Sequence, residues 1–338
     1  MLNLVTGATG FIGSHLVDSL LASGARVRAL VRNPDRAVPW QESGAELVVG
    51  DLRDAQSLRA AVRGSGVIYH CAAATGANVK AQEIHDTNVG GLRHLLDAMH
   101  ENGGGRLVLL SGLSVLGLGS FDLVSEDLPC RSCYDPEVRA KVDAEELARA
   151  YQRKHGLELC ILRAGFVYGA RDQRNLPQLV DAVRQGKFLY IGSRYNVVPL
   201  VHVHDMVHAL MLAGRTPAAN GRVYHIADGS RTTMRELVTH IANLLGCSPP
   251  RWTLPFFLTC MVCVTCEWMG HFAGWPASGP IARGTLLFLG TSRFVDIRRA
   301  KEELGFTPQV GFRHGVAEAV RCLSEQSHER PSLVRTAS

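Results

Sequence analysis

Three glycines spaced three residues apart, close to the N-terminus, constrain the fold of this chain more than any other feature. They lie in the segment GATGFIG at residues 7–13. The apolar residues 2–5 before it predict a short strand, and the amphipathic residues 14–22 after it predict a helix. A strand that turns tightly into a helix gathers free backbone N–H groups and the positive end of a helix dipole at one point. That point suits a pyrophosphate.

Each glycine has its own task in such a turn. Gly7 permits the turn, Gly10 lets the backbone approach the phosphates, and Gly13 lets the helix pack closely on the strand. The segment therefore predicts a dinucleotide-binding site, and we interpret much of the remaining chain by its relation to that site.

Composition limits the other classes of function. The 338 residues are 46% hydrophobic and 20% charged, which is typical of a globular protein longer than one average domain. The net charge of +5 is spread along the chain, so no nucleic-acid-binding surface is predicted. The chain starts directly in a strand, which leaves no room for a signal peptide, and its nine cysteines then indicate reduced thiols. We expect a cytoplasmic protein.

Short apolar segments alternate with helical patterns throughout the first half of the chain. Residues 25–32, 46–52, 65–74 and 106–111 each predict a strand. Strands that alternate with helices imply parallel pairing and a doubly wound α/β sheet. Because ligand sites in such sheets lie beyond the carboxyl ends of the strands, we expect the strand at 106–111 to deliver catalytic groups at its end.

Several motifs together resemble one family. They are TGATGFIG at residues 6–13, LRAGFVYG at 162–169 and VHVHD at 201–205. Together they are similar to the extended short-chain dehydrogenase/reductase family, also called the NAD-dependent epimerase/dehydratase superfamily. That family includes sugar-nucleotide epimerases, dehydratases and 3β-hydroxysteroid dehydrogenases. The resemblance covers nearly the whole chain. It implies a Rossmann domain of residues 1–169 and about 197–227, a smaller discontinuous C-terminal substrate lobe of about 170–196 and 228–322, and a tail of 323–338.

The resemblance also implies which residues bind the cofactor. In the family an acidic residue near the end of the second strand selects NAD, whereas this chain has Arg32 there. A guanidinium can hold a 2′-phosphate that a carboxylate would repel, so we expect NADP rather than NAD. The predicted cofactor-binding residues are Thr6, Gly7, Thr9, Gly10, Phe11, Ile12, Gly13, Arg32, Asp51, Leu52, Ala72, Ala73, Asn88, Lys141, Gly165 and Val167.

The catalytic residues of the family are only partly kept. The resemblance implies a serine or threonine at the end of the fifth strand, followed by a Tyr-x-x-x-Lys pair on the next helix. Lys141 matches the lysine, but Glu137 stands where the tyrosine is expected and Gly112 takes the hydroxyl position, flanked by Ser111 and Ser114. A phenol needs a neighbouring cation before it exchanges protons at neutral pH, so losing this pair changes the chemistry.

Three interpretations of Glu137 stay open. It forms an i,i+4 salt bridge to Lys141, or it acts as a base, or the displaced phenol of Tyr134 is the acid instead. The candidate catalytic residues are Lys141, Glu137, Tyr134, Ser111 and Ser114.

With its apolar stretch at residues 252–275, the chain resembles the 3β-hydroxysteroid and sterol dehydrogenase branch of the family more than the sugar-nucleotide branch. The apolar part of this stretch, residues 254–266, is too short to cross a bilayer, but the stretch predicts an apolar substrate lobe and leaves peripheral membrane contact open. Its cysteines at 260, 263 and 266 recur at every third position, and we interpret them as core residues. His202, His204 and His208 lack a matching carboxylate cluster, so no metal site is predicted.

The sequence therefore predicts an NADP-dependent oxidoreductase that moves a hydride to or from an alcohol or ketone on an apolar, steroid- or lipid-like substrate. Two alternatives are a catalytically impaired NADP-binding sensor or scaffold and a sugar-nucleotide epimerase or dehydratase. The expected partner is a small-molecule substrate, and a homodimer stays open.

Overall fold

A parallel sheet with helices on both faces carries the N-terminal two thirds of the chain. The structure is a computed structural model and describes residues 1–76, 79–117, 119–131, 135–262, 265 and 288–329. The strands are β1 Leu2–Thr6, β2 Arg26–Val31, β3 Glu46–Val49, β4 Ser65–His70, β5 Arg106–Gly112, β6 Phe121–Val124, β7 Glu158–Ala164, β8 Phe166–Tyr168, β9 Tyr190–Ile191, β10 Leu200–His202, β11 Val223–Ile226, β12 Thr253–Leu254 and β13 Arg293–Val295.

The helices connect these strands and cover the sheet. They are α1 Phe11–Ala22, α2 Val38–Glu42, α3 Ala55–Val62, α4 Ala81–His85, α5 Gly91–Glu101, α6 Pro136–His155, α7 Asn175–Arg184, α8 Val203–Arg215 and α9 Met234–Leu244, with later helices at Arg298–Leu304 and Phe312–Glu329. A π-helical turn at Asp86–Gly90 and short 3-10 turns, among them Leu113–Leu116, complete the connections.

The main sheet has seven strands in the order β11-β7-β5-β4-β1-β2-β3, all paired in parallel. The strand order reverses direction next to β1, between β1 and β4. This arrangement confirms the predicted doubly wound sheet. It also places the ends of β1, β4 and β5 side by side, where ligand sites of such sheets lie.

Side chains of alternate strand residues build a core on each face of the sheet. Leu4 belongs to the layer that includes Leu58 and Leu92, whereas its neighbour Val5 packs with Leu16 and Leu210 on the opposite face. Strands buried on both faces read as continuous apolar runs, which is why the segments of the sequence were recognisable.

A separate buried cluster lies in the C-terminal lobe. It joins α7 and α9 to the last helix through residues that include Leu179, Tyr190, Leu237 and Val316. The predicted division into residues 170–196 and 228–322 stays a prediction in its exact bounds. No helix of the described part of the chain has the length and apolar character needed to cross a membrane.

Candidate active site

The glycine-rich turn is built as the sequence requires. β1 ends at Thr6, and α1 begins at Phe11 with Gly10 as its N-cap. Gly7 has φ +69°, and a β-carbon on it would lie 2.6 Å from the backbone of Ala72 after β4. A β-carbon on Gly13 would overlap the carbonyl of Gly7. A side chain at Gly7 would therefore collide with the segment after β4, and one at Gly13 would push α1 away from the turn.

The start of α1 faces a large cleft. Helix geometry leaves the amides of Phe11, Ile12 and Gly13 without partners inside the helix. No acidic residue lies in this first turn to repel an anion. The free backbone amides and the positive end of the helix dipole fit the pyrophosphate of a dinucleotide. These residues therefore suit the predicted cofactor.

The cleft has a volume of about 1860 Å³ and runs from α1 to the C-terminal lobe. It brings together most of the predicted site residues. Those that line it are Thr9, Gly10, Phe11, Ile12, Gly13, Ala73, Ser111, Ser114, Glu137, Lys141, Gly165 and Val167. Seven others, Thr6, Gly7, Arg32, Asp51, Leu52, Ala72 and Asn88, lie outside its lining. Tyr134 is outside the described residues.

Two of the residues outside the lining support it from behind. The side chain of Asn88 accepts a hydrogen bond from the backbone N–H of Ala74 at 2.6 Å and donates one to its carbonyl at 3.0 Å. Asn88 thus braces the segment that follows β4. Thr6 Oγ1 lies 2.9 Å from His70 Nδ1, at the ends of neighbouring strands. Burial lowers the pKa of His70 to about 4, so this imidazole is neutral at pH 7.

At the adenosine side, the role of Arg32 stays a prediction, because this residue lies outside the cleft lining. Arg32 is exposed, and its charge helps to lower the pKa of Asp51, although the hydrogen bonds from Arg53 have the larger effect. Arg36 and Trp40 line the cleft instead.

Trp40 belongs to a small network that the sequence analysis missed. Its Nε1 donates to Asp18 at 2.7 Å, and Asp18 also pairs with Arg171 at 2.6 Å. These three residues come from distant parts of the chain, so no local sequence pattern predicts their contact.

Glu137 sits at the start of α6, where Asp135 caps the helix by accepting from the amides of Glu137 and Val138 at 2.9 and 3.1 Å. The carboxylate Oε1 of Glu137 accepts from the amide of Gly76 at 2.8 Å and from Arg174 Nη2 at 2.9 Å. Its salt bridge therefore runs to Arg174 rather than to Lys141, and the i,i+4 pair allowed by the spacing does not form.

Lys141 projects into the space that Gly112 leaves open. Its Nζ lies 3.0 Å from the position that a β-carbon of Gly112 would take, and Ser114 Oγ lies 3.6 Å from the same position. Burial lowers the pKa of Lys141, and the charge of Glu137 opposes that shift. The ammonium and the Ser114 hydroxyl thus both lie close to Gly112, at the end of β5.

Ser111 is engaged elsewhere. Its Oγ donates to Glu145 Oε1 at 2.7 Å, and Glu145 pairs with Arg163 at 2.8 Å in a fully buried network. Burial would raise the pKa of Glu145, but the hydrogen bonds and charge of Arg163 hold it below its ordinary value. Ser111 therefore joins α6 to the sheet, and its hydroxyl is already donated.

The far side of the cleft carries both apolar and polar side chains. Ile84, Val138 and Leu179 line it, and Phe166 stacks on Phe288 with ring centroids 4.3 Å apart. The polar and charged residues that line the same side are Asp172, Gln173, Arg174, Asn175, Gln178, Thr291 and Arg293. The described residues contain no group of three His, Cys, Asp or Glu side chains that could hold a metal ion. Cys263 and Cys266 lie outside the described residues.

Comparison with known proteins decides the family. The sequence model of the NAD dependent epimerase/dehydratase family matches residues 3–227, which is about two thirds of the chain. The chain belongs to the NAD-dependent epimerase/dehydratase family. The predicted membership is thereby confirmed.

Two curated members of the family are similar over almost their whole length. A 4-hydroxy-2-methyl-3-oxo-4-farnesyl-3,4-dihydroquinoline-1-oxide ketoreductase of Stigmatella aurantiaca is 30% identical over 320 residues, which cover 94% of this chain and 95% of that protein. A 3-beta-hydroxysteroid dehydrogenase of Mycolicibacterium neoaurum is 28% identical over 94% of this chain and 90% of its own. These names agree with the predicted enzyme class, an NAD(P)-dependent dehydrogenase or reductase.

A solved member of the family shares the fold. The dTDP-glucose 4,6-dehydratase DesIV of Streptomyces venezuelae, as a double mutant with NAD and DAU bound, superposes with a TM-score of 0.77 at 29% identity, over 98% of this chain and 100% of that one. The match spans both the sheet and the C-terminal lobe, so the epimerase/dehydratase architecture extends beyond residue 227.

Proposed function

We propose that this protein reduces a ketone on an apolar, lipid- or steroid-like substrate with NADPH as the hydride donor. The observation that carries the proposal is a group of apolar side chains, Phe166, Phe288, Leu179 and Val138, that lines the same cleft as Lys141. The relative named as a farnesyl-dihydroquinoline-oxide ketoreductase and the one named as a steroid dehydrogenase support a substrate of this class.

The chain's own residues would hold the dinucleotide along the cleft. The amides at the start of α1 would bind the pyrophosphate, and Lys141 lies where the nicotinamide end would reach β5. A bound NADPH would supply the hydride. Arg32 and Arg36 at the opposite end provide guanidinium groups for a 2′-phosphate, which supports NADP over NAD.

A catalytically impaired NADP-binding sensor is a second candidate, because Gly112 and Glu137 stand where the family places its hydroxyl and phenol. Turnover separates the two candidates. The purified protein is incubated with NADPH and a panel of apolar ketones, including steroid and long-chain 3-oxo compounds, and with UDP- and dTDP-sugars. We expect NADPH oxidation with an apolar ketone and no conversion of the sugar nucleotides. NADPH binding without turnover of any compound would favour the sensor.

Peripheral membrane contact is part of the same proposal. Trp252, Phe257, Leu258, Met261 and Val262 expose apolar side chains next to the substrate lobe, with Phe257 70% exposed. Such a surface would let the protein draw a lipid-like substrate from a bilayer. A homodimer stays a prediction.

A further inference from the structure

The proposed reduction needs a proton donor, and the family's tyrosine is missing from its position. Among the described residues, those that line the cleft near the end of β5 with a protic side chain include Ser111, Ser114, Glu137 and Lys141. The Ser111 hydroxyl already donates to Glu145. The choice among the other three rests on the proposed reductase function and on the contacts of each group.

The carboxylate of Glu137 is engaged by two donors. Its Oε1 accepts hydrogen bonds from the amide of Gly76 and from Arg174 Nη2. These two contacts fix the position of the Glu137 side chain. Glu137 thereby links α6 to the loop that contains Gly76 and to the loop that contains Arg174.

The ammonium of Lys141 occupies space that a side chain at position 112 would fill. Because Gly112 has no side chain, Nζ reaches within 3.0 Å of the point where a serine or threonine would place its β-carbon. The ammonium group thus lies in the region where the family's hydroxyl would stand, and Ser114 Oγ lies 3.6 Å from the same β-carbon position.

We propose that Lys141 Nζ donates the proton to the substrate carbonyl oxygen and that Ser114 Oγ donates a second hydrogen bond to that oxygen. The carbonyl carbon accepts the hydride that the bound NADPH supplies. An N–H bond of the ammonium breaks as the O–H bond of the alcohol forms. Lys141 is left as a neutral amine and regains its proton from water. Its lowered pKa makes this transfer easier near neutral pH.

The first test separates a proton donor from a merely structural lysine. Loss of the donor in Lys141→Ala should lower kcat by about a hundred- to ten-thousandfold. Primary alkylamines added to this variant should restore part of kcat, with rates that depend on the pKa of the amine. Lys141→Arg should remain slow because a guanidinium does not release its proton. Lys154→Ala, an exposed lysine on the same helix, should keep its kcat.

A second readout does not depend on turnover. The chain has five lysines, Lys80, Lys141, Lys154, Lys187 and Lys301, so protein labelled with 13C at lysine Cε gives few NMR signals. The signal absent from Lys141→Arg should titrate at a lower pH than the other four. NADPH affinity, measured by fluorescence titration, separates cofactor binding from proton transfer in every variant.

The outcomes distinguish this inference from the function on which it rests. A wild-type protein that reduces no ketone contradicts the proposed function. An active wild type whose Lys141→Ala variant keeps its kcat, or a slow variant that binds NADPH but no amine restores, contradicts the proton-donor role alone. A Lys141 signal that titrates together with the other lysines also counts against that role.

Discussion

Glu137 Oε1 accepts a hydrogen bond from Arg174 Nη2 at 2.9 Å, across a cleft that separates α6 from the loop before α7. The same oxygen accepts from the amide of Gly76, so one carboxylate ties together three walls of the site. Glu137 thus connects α6 to the loops that carry Gly76 and Arg174. In the proposed reaction, this engagement leaves the neighbouring Lys141 as the proton donor.

Replacing Glu137 tests that connection. Glu137→Gln keeps an oxygen that accepts from Gly76 but loses the charge opposite Arg174. A partly exposed ion pair contributes up to about 1 kcal/mol, so the free energy of unfolding should fall by no more than that. NADPH affinity should be nearly unchanged. Urea unfolding and fluorescence titration measure the two quantities, and a large loss of affinity would show that Glu137 contacts the dinucleotide.

Cofactor preference depends on the guanidinium groups at the adenosine end. Loss of a charge-assisted phosphate contact in Arg32→Ala should weaken NADPH binding by roughly ten- to a hundredfold and leave NADH binding unchanged. Arg36→Ala is the matched comparison because Arg36 lines the cleft and Arg32 does not. Arg153→Ala, exposed on α6, is the control. Tighter binding of NADH than NADPH by the wild type would refute the preference.

The buried pair of Glu145 and Arg163 predicts a pH dependence of stability. The folded pKa of Glu145 lies below its ordinary value of 4.5, so the pair's contribution is fully present above that pH. It is lost as pH falls through the lower, folded pKa. Glu145→Gln leaves Arg163 buried without its charge partner and should cost about 3–5 kcal/mol at pH 7.

Urea unfolding from pH 7 down to pH 3 checks this prediction. The difference in the free energy of unfolding between wild type and Glu145→Gln should shrink below pH 4.5, because Glu145 of the wild type becomes protonated there. The buried histidines are present in both proteins, so their effects cancel in this difference. A difference that stays constant over this range would mean that Glu145 contributes by packing alone. Far-ultraviolet circular dichroism at pH 7 verifies that the variant is folded.

The local part of the site could be predicted from the sequence, and the long-range part could not. The glycine turn depends on residues within ten positions of one another, so its pattern was sufficient. Lys141 and Glu137 were placed by their spacing on one helix. Arg174, however, reaches Glu137 from 37 positions away through the fold of the lobe. Glu137 forms its ion pair with Arg174 and not with Lys141, the i,i+4 partner that the spacing suggests.

The sequence also could not predict which group occupies the space beside Gly112. A missing side chain reads as a lost hydroxyl, whereas in three dimensions it admits the Lys141 ammonium. Similarly, Arg32 was selected by its position after β2, while the turn into α2 brings Arg36 and Trp40 to the cleft. In each case the packing of separate elements decides which side chain lies at the cleft.

Membrane contact is tested by flotation with phosphatidylcholine vesicles. The intact protein should float with the vesicles, and Phe257→Ser combined with Leu258→Ser should remain at the bottom, because these side chains are exposed. Leu244→Ser, an exposed residue on α9, should float like the wild type. Phe256 is unsuitable because it packs against Ile191. Failure of the wild type to float would limit this apolar surface to a role within the substrate lobe.

The central claim is hydride transfer to an apolar ketone, and isotopic labelling tests it most directly. NADPH carrying deuterium at C4 of the nicotinamide, in each of the two stereochemical positions, is incubated with the protein and the best ketone of the panel. Mass spectrometry of the product should show an alcohol heavier by one mass unit with one of the two labelled forms and not with the other. An unlabelled alcohol with both forms, or no alcohol at all while NADPH stays bound, would contradict the assignment as a reductase.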